Sequence, residues 1–152
     1  MQIGIISDTH DHRRNVMKAI EIFAGRKVQC VLHAGDIVAP FVAKAFAALK
    51  DAKFIAVYGN NDGEKLFLRQ TIEGFGGQIH EYCYKGELAG RTVYMTHTHH
   101  NIEELVTSQQ YDLIVYGHTH RQDIRMVGRT MVVHPGEATD WISGAEIGRA
   151  HV

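Results

Sequence analysis

The segment KFIAVYGNND, residues 53–62, decides how the rest of the chain is interpreted. Its first part, Lys53–Tyr58, is a short and mostly apolar run that is typical of a buried strand. The run stops at a glycine, and two asparagines and an aspartate follow, which favour a turn because they tolerate positive φ and bond their own backbone. Taken alone, the segment is a strand followed by a turn. It leaves open whether an amide side chain in that turn also takes part in chemistry.

Two similar units precede this segment. Gln2–Ser7 and Val28–His33 are predicted to be buried strands. After the loop that follows the first strand, apolar residues recur at helical spacing to about Gly25. Pro40 suits the first turn of the helix after the second strand. Another helix is predicted over Glu64–Ile72. This alternation of strands and helices with short connections predicts a parallel sheet covered by helices.

The second half of the chain has a different pattern. Residues 78–97 are predicted to form two strands around a turn at Gly86–Gly90. A helix near Ile102–Gln109 leads to a buried strand at 112–117, and a hairpin that turns at Gly128–Arg129 follows. The two halves together predict an α/β fold with two packed sheets and helices outside them.

Composition limits the class of protein. The 152 residues suffice for one domain, 1–152, and the hydrophobic content of 45% is typical of a soluble globular chain. A formal net charge of −1 provides no basic surface for extended duplex nucleic acid. No secretion signal and no membrane-length apolar run are apparent. Cys30 and Cys83 are predicted to be free thiols, so we expect a cytoplasmic protein. Because no membrane-length apolar run is apparent, we expect no membrane partner.

A polar cluster follows each of five predicted strands. Ligands of open α/β sheets bind outside the carboxyl ends of the strands, so all five clusters are expected at one edge. Each cluster alone has an ordinary structural interpretation, as a helix cap, a turn or a solvated loop. Five such coincidences at five strand ends favour a functional site. The clusters are Asp8–His10, His33–Asp36, Gly59–Asp62, Thr96–His100 and Gly117–His120.

The clusters offer carboxylate, imidazole and amide donors and no cysteine. Such mixed nitrogen and oxygen ligands suit Mn, Fe, Ni or Zn and disfavour structural zinc, which prefers thiolates. The set exceeds what one ion needs, and a carboxylate can bridge, so two ions about 3.5–4 Å apart fit it better. The candidate ligands are Asp8, His10, Asp36, Asn60, His97, His118 and His120.

The clusters also resemble the motifs of the calcineurin-like metallophosphoesterases, which run Asp-x-His, Gly-Asp, Gly-Asn-His-Asp/Glu, a lone His and Gly-His-x-His. The order matches from Asp8 to Gly136, and the short chain without insertions is most similar to the small single-domain YfcE-type phosphodiesterases. The resemblance implies a four-layer α-β-β-α sandwich of two packed mixed sheets with a di-metal site on its rim. The matching segments are SDTH (7–10), GD (35–36), GNND (59–62), TH (96–97) and GHTH (117–120).

Motif matching also implies the role of each ligand. One ion would be held by Asp8, His10, Asp36 and His120. The second ion would be held by Asp36, Asn60, His97 and His118, so that Asp36 bridges the two. The resemblance implies two divalent ions, with Mn or Ni as the first choice and Fe or Zn as the alternatives. These ions would generate a hydroxide that attacks a small phosphodiester. The residues expected to orient these ligands are Asp62, Thr96 and Gly136.

Asn61 departs from the family pattern. Most members have a histidine here that is thought to give a proton to the leaving group, and an amide cannot deliver one near neutral pH. We therefore expect either a preference for esters with acidic leaving groups or a substitute donor, for which His99 and His100 are the candidates. The predicted catalytic residues are Asp36, Asn60, Asn61 and His99.

The C-terminal segment 141–152 is a second departure. Relatives usually continue after the Pro-Gly turn into closing strands, so we expect the second sheet to lack its last strands, with a homo-oligomer as one consequence. The alternative to an enzyme is a catalytically weak or inactive binding scaffold, as in the retromer scaffold subunit, which has the same fold. A scaffold tends to lose ligands, and this chain keeps all seven candidate positions.

Overall fold

The computed structural model describes residues 1–139 and contains two sheets. The first sheet is parallel, and its strands follow one another in sequence order. Its strands are β1 (Ile3–Ile6), β2 (Cys30–His33), β3 (Lys53–Val57) and β4 (Gln78–His80). The connecting helices are α1 (Arg13–Gly25), α2 (Pro40–Ala43), which continues as a 3₁₀ turn over Lys44–Ala48, and α3 (Lys65–Gly74). Parallel pairing brings the carboxyl ends of all four strands to one edge.

The second sheet is mixed and has the order β5-β6-β7-β9-β8. Its two outer pairs are antiparallel hairpins, and β7 is parallel to both of its neighbours. The strands are β5 (Cys83–Leu88), β6 (Arg91–Thr96), β7 (Leu113–Val115), β8 (Asp123–Val127) and β9 (Thr130–His134), and the helix α4 (Ile102–Thr107) joins β6 to β7.

Most side chains of the first sheet are buried, and on both faces, because one face meets helices and the other meets the second sheet. Alternate residues of one strand show the division: Val31 packs among the helices, whereas Leu32 lies between the sheets. On the far side of the second sheet, Ile102 and Val106 of α4 pack on Ile114. The four-layer α-β-β-α sandwich is therefore confirmed.

The local structure differs from the prediction in three places. Residues 78–97 form three strands, because β4 leaves the hairpin and joins the first sheet. The hairpin turns at Ala89 and Gly90, which both have positive φ, while Gly86 lies inside β5. The mixed pairing predicted for both sheets occurs in the second, and the first is parallel throughout residues 1–139.

No helix within residues 1–139 is long and apolar enough to cross a membrane. The segment 141–152, for which missing closing strands were expected, lies outside the described residues.

Candidate metal centre

Hydrogen bonds join the loops that follow the strands. The backbone N–H of Asp8 donates to Gly35 O at 3.0 Å, and that of His10 donates to Asp36 O at 3.0 Å, which ties the loop after β1 to the loop after β2. The backbone N–H of His118 donates to the Asp8 carboxylate at 3.2 Å, which joins the second sheet to the first. These bonds bring the predicted clusters to one edge of the sandwich.

One group of donor atoms forms around Asp8. Nε2 of His10 lies 3.2 Å from Nε2 of His120, and the latter lies 3.5 Å from Asp8 Oδ1. Nε2 of His10 is also 3.5 Å from Asp36 Oδ2. Donor atoms bonded to one ion at about 2.0–2.2 Å lie about 2.8–3.6 Å apart, so these separations match the edges of a coordination polyhedron.

A second group forms around Asn60 and shares Asp36 with the first. Nε2 of His97 lies 3.5 Å from Asp36 Oδ2 and 2.9 Å from Asn60 Oδ1. Nδ1 of His118 lies 2.8 Å from the same amide oxygen. Seven candidate ligands predicted from the sequence thus meet in two adjoining groups, with Asp36 Oδ2 between them.

The Nδ1 proton of His97 points away from the second group. A carbonyl oxygen only accepts, so Nδ1 of His97 donates to Ala34 O at 2.8 Å and the neutral ring presents a lone pair at Nε2. That lone pair faces two other acceptor atoms, Asn60 Oδ1 at 2.9 Å and Asp36 Oδ2 at 3.5 Å. Such an arrangement of acceptors is repulsive without a cation and suits a metal ion placed among them.

The burial of two aspartate side chains increases the need for positive charge beside them. The Asp8 and Asp36 side chains are almost completely inaccessible to solvent. Burial raises the pKa of the Asp8 carboxyl, although the Ser7 hydroxyl donates to it and acts in the opposite direction. Burial also lowers the pKa of His118, which favours the neutral imidazole that binds metals. The chemistry of the donor set therefore fits divalent cations.

The backbone at the centre is held in an uncommon conformation. A left-handed φ is rare for residues other than glycine, costs on the order of 1–3 kcal/mol each and persists where surrounding contacts over-determine it. Here the bonds between the loops supply those contacts. The candidate ligands with positive φ are Asp8 (52°), His10 (38°), Asp36 (56°), His118 (76°) and His120 (59°).

Gly59 is required because the loop after β3 passes directly over Asp36. A Cβ at this position would lie 2.1 Å from Asp36 Oδ1 and 2.4 Å from Asp36 N. We expect Gly59→Ala to lower the free energy of unfolding of the metal-free chain by about 1–3 kcal/mol, as overpacking does. We also expect a displaced Asp36 to weaken Mn²⁺ binding roughly tenfold or more. Urea unfolding and calorimetric titration measure the two effects.

Gly63 offers the matched control in the same loop. A Cβ there would meet no atom within 4 Å, so Gly63→Ala should leave both quantities near the wild-type values. Equal stability and equal Mn²⁺ affinity in the two variants would contradict the close approach at Gly59.

The remaining predicted residues have varied positions. Asn61 donates to Asp36 twice, from its backbone N–H at 2.8 Å and from Nδ2 at 2.7 Å. His99 is exposed, and its ring stacks on that of His118 with centroids 5.4 Å apart. The His100 ring in turn lies 4.4 Å from that of His99. The neighbouring rings of His99 and His100 therefore lead from the candidate ligand His118 to the solvent.

The three residues expected to orient ligands act in different ways. Asp62 accepts backbone N–H groups from Gly59 at 2.6 Å and Asp36 at 3.2 Å, and so joins the loops after β2 and β3. The Thr96 hydroxyl instead donates to Tyr82 O. The Gly136 N–H donates to the His134 ring. Of the three, Asp62 bonds directly to a candidate ligand in these contacts.

Two buried side chains at the centre were not predicted. Glu137 lies 2.8 Å from Nδ1 of His120. The His33 ring accepts the Gly35 N–H and lies 3.2 Å from the Thr9 hydroxyl, and burial lowers its pKa to about 3. The sequence offers weak signals for both: His33 is the first residue of a predicted cluster, and Glu137 follows the Pro-Gly turn.

The fold and the donor motifs are those of the calcineurin-like phosphoesterase superfamily. The family model of that superfamily's domain matches residues 1–152, so the chain belongs to this family. Among its relatives is phosphodiesterase MJ0936 of Methanocaldococcus jannaschii, 41% identical over 147 residues that span 95% of this chain and 88% of the relative. The solved structure of a novel archaeal phosphodiesterase is 40% identical with a TM-score of 0.90, over 96% of this chain and 90% of that one.

The structure of YfcE, a phosphoesterase from E. coli, shares the fold at 22% identity, with a TM-score of 0.75 over 97% of this chain and 85% of that one. The resemblance to metallophosphoesterases stated from the sequence motifs is thus confirmed.

Proposed function

We propose that this chain is a phosphodiesterase that hydrolyses a small phosphodiester with two divalent metal ions. The observation that carries the proposal is the pair of donor groups that share Asp36 Oδ2, which lies 3.5 Å from Nε2 of His10 in one group and 3.5 Å from Nε2 of His97 in the other. Similarity to relatives named phosphodiesterases supports the diester as substrate class. A binding scaffold has no need of this complete donor set.

We propose Mn or Ni as the ions, with Fe or Zn as the alternatives, because the donors are nitrogen and oxygen only. When bound, such ions would polarise the phosphoryl oxygens and lower the pKa of a water enough to supply hydroxide, the nucleophile for phosphorus, near neutral pH. One ion would be held by Asp8, His10, Asp36 and His120. The other would be held by Asp36, Asn60, His97 and His118.

The chain's own residues would set the geometry and handle the proton. Asp36 fixes the separation of the two positions, and the two hydrogen bonds from Asn61 fix the Asp36 carboxylate. The Asn61 amide can hydrogen-bond to a leaving oxygen but cannot protonate it. His99, exposed and stacked on His118, is the residue we propose as proton donor to the leaving group.

The two cysteines support a cytoplasmic location. Cys30 is buried and Cys83 is partly buried, and both are free thiols. Free thiols persist in a reducing compartment, which the cytoplasm provides.

Hydrolysis of bis(p-nitrophenyl) phosphate tests the proposed reaction. Metal-stripped protein is assayed with Mn²⁺, Ni²⁺, Zn²⁺ or Mg²⁺ added back, and p-nitrophenyl phosphate serves as the matched monoester. We expect no turnover without metal, restored turnover with Mn²⁺ or Ni²⁺, and a preference for the diester. A chain that binds no ion and hydrolyses neither ester would overturn the proposal and favour the scaffold.

A further inference from the structure

A third buried carboxylate lies behind the first donor group. Glu137 comes three residues after the end of β9, and its side chain is 1% exposed. Its Oε2 lies 2.8 Å from Nδ1 of His120 and accepts the Thr139 hydroxyl at 2.6 Å. A buried carboxylate is costly unless it is hydrogen-bonded or neutralised, so its place behind a candidate ligand calls for a physical reason.

The contact determines which nitrogen of His120 carries the proton. A carboxylate only accepts, so Nδ1 of His120 is the protonated atom of the neutral ring. Nε2 then presents its lone pair towards Asp8 Oδ1 at 3.5 Å and His10 Nε2 at 3.2 Å. Glu137 thus fixes both the tautomer and the direction of the ring.

The second donor group is backed differently. The ring of His97 donates from Nδ1 to a neutral acceptor, the backbone carbonyl of Ala34. Either acceptor raises the basicity of a metal-binding imidazole, but a carboxylate also adds a negative charge near the ion, which a carbonyl does not. The two metal positions therefore differ in their surroundings although their donor atoms are similar.

We propose that Glu137 is a positioning residue that holds His120 as a metal ligand and makes the Asp8–His10–His120 position the tighter of the two. This inference rests on the proposed function, because it assumes that the centre takes up divalent ions. The function does not depend on it in return, since the donor atoms themselves lie on other residues.

Two variants of Glu137 separate orientation from charge. Glu137→Gln keeps the shape and an acceptor oxygen but removes the charge, and Glu137→Leu removes both. The matched control is Glu87→Gln, which makes the same change of charge at an exposed position of β5 that pairs with Thr92, near the start of β6, whereas His97 follows the end of β6. Thermal unfolding of each metal-free chain establishes that the variants fold.

Two measurements decide the proposal. In the metal-free wild type, ¹⁵N-resolved NMR of the imidazoles should show His120 protonated at Nδ1, and in Glu137→Leu a population protonated at Nε2 should appear. In calorimetric titrations with Mn²⁺, the tighter binding step should weaken about 10–100-fold in both variants, more in Glu137→Leu, and the other step should change by less than about twofold. Glu87→Gln should match the wild type in both.

Failure of this inference and failure of the function look different. A wild type that binds Mn²⁺ in two steps, with unchanged affinities and an unchanged tautomer in both Glu137 variants, overturns the positioning role and leaves the proposed function standing. A wild type that binds no Mn²⁺ overturns the proposed function, and the positioning role with it.

Discussion

Replacing the carboxylate proposed to be shared, in Asp36→Asn, is expected to lower kcat/KM for a phosphodiester by about 10³-fold or more, because the substitution removes the one charge that would serve both proposed metal positions. The Asp36 oxygen in question lies 3.5 Å from Nε2 of both His10 and His97. An asparagine places a neutral amide there, which bridges two cations poorly. Both Mn²⁺ affinities should fall together, since neither position keeps its full set of donors.

The experiment compares steady-state hydrolysis with calorimetric Mn²⁺ titration of the same preparation. Asp51→Asn is a suitable control, because it makes the same chemical change at an exposed residue before β3. Full activity in Asp36→Asn would contradict a centre of two ions that share this carboxylate. Loss of activity with both affinities intact would also contradict it, since the shared oxygen would then not be a ligand.

Replacing Asn61 by histidine is expected to raise activity towards esters with poor leaving groups. An imidazole can protonate a departing alkoxide, and general acid catalysis typically contributes on the order of 10²–10⁴-fold. The Asn61 side chain already points at the centre, with Nδ2 2.7 Å from Asp36 Oδ2, and it lies at an exposed position where a larger ring has room. Aryl esters with acidic leaving groups need little protonation and should gain little.

A series of diesters with leaving groups of increasing pKa measures this effect. The dependence of log kcat/KM on leaving-group pKa should be shallower in Asn61→His than in the wild type. Asn61→Ala, which can neither hydrogen-bond nor protonate, should leave that slope unchanged or steeper. An identical slope in the histidine variant and the wild type would contradict the role given to position 61, and would indicate that His99, the proposed donor, protonates the leaving oxygen without a contribution from this position.

The candidate centre was predictable from the sequence because its residues lie at strand ends. Apolar runs identify buried strands, and parallel strands bring their carboxyl ends to one edge whatever the details of the loops. Asp8, Asp36 and Asn60 could therefore be expected to meet without any knowledge of distances. The histidines that follow strands of the second sheet could be expected at the same edge, because two packed sheets were predicted.

The parts that were missed depend on contacts between residues distant in sequence. Glu137 and His120 are 17 residues apart, and the bond between them depends on a rotamer and on the turn that carries the glutamate. The three-residue strand Gln78–His80 is too short for a period to be recognised, and it pairs with β3 although the chain continues into the hairpin. The left-handed backbone at Asp8 and His10 likewise cannot be predicted from residue type alone: aspartate and histidine tolerate it, but neighbouring loops impose it.

The proposed centre holds two metal ions that share one carboxylate. Diffraction from crystals soaked in Mn²⁺, recorded on both sides of the manganese absorption edge, tests it most directly. We expect two anomalous difference peaks about 3.5–4 Å apart. The Asp36 carboxylate should contact both peaks, His120 one of them and His97 the other. A single peak, or two peaks of which Asp36 touches only one, would show that the centre does not hold two ions joined by this carboxylate.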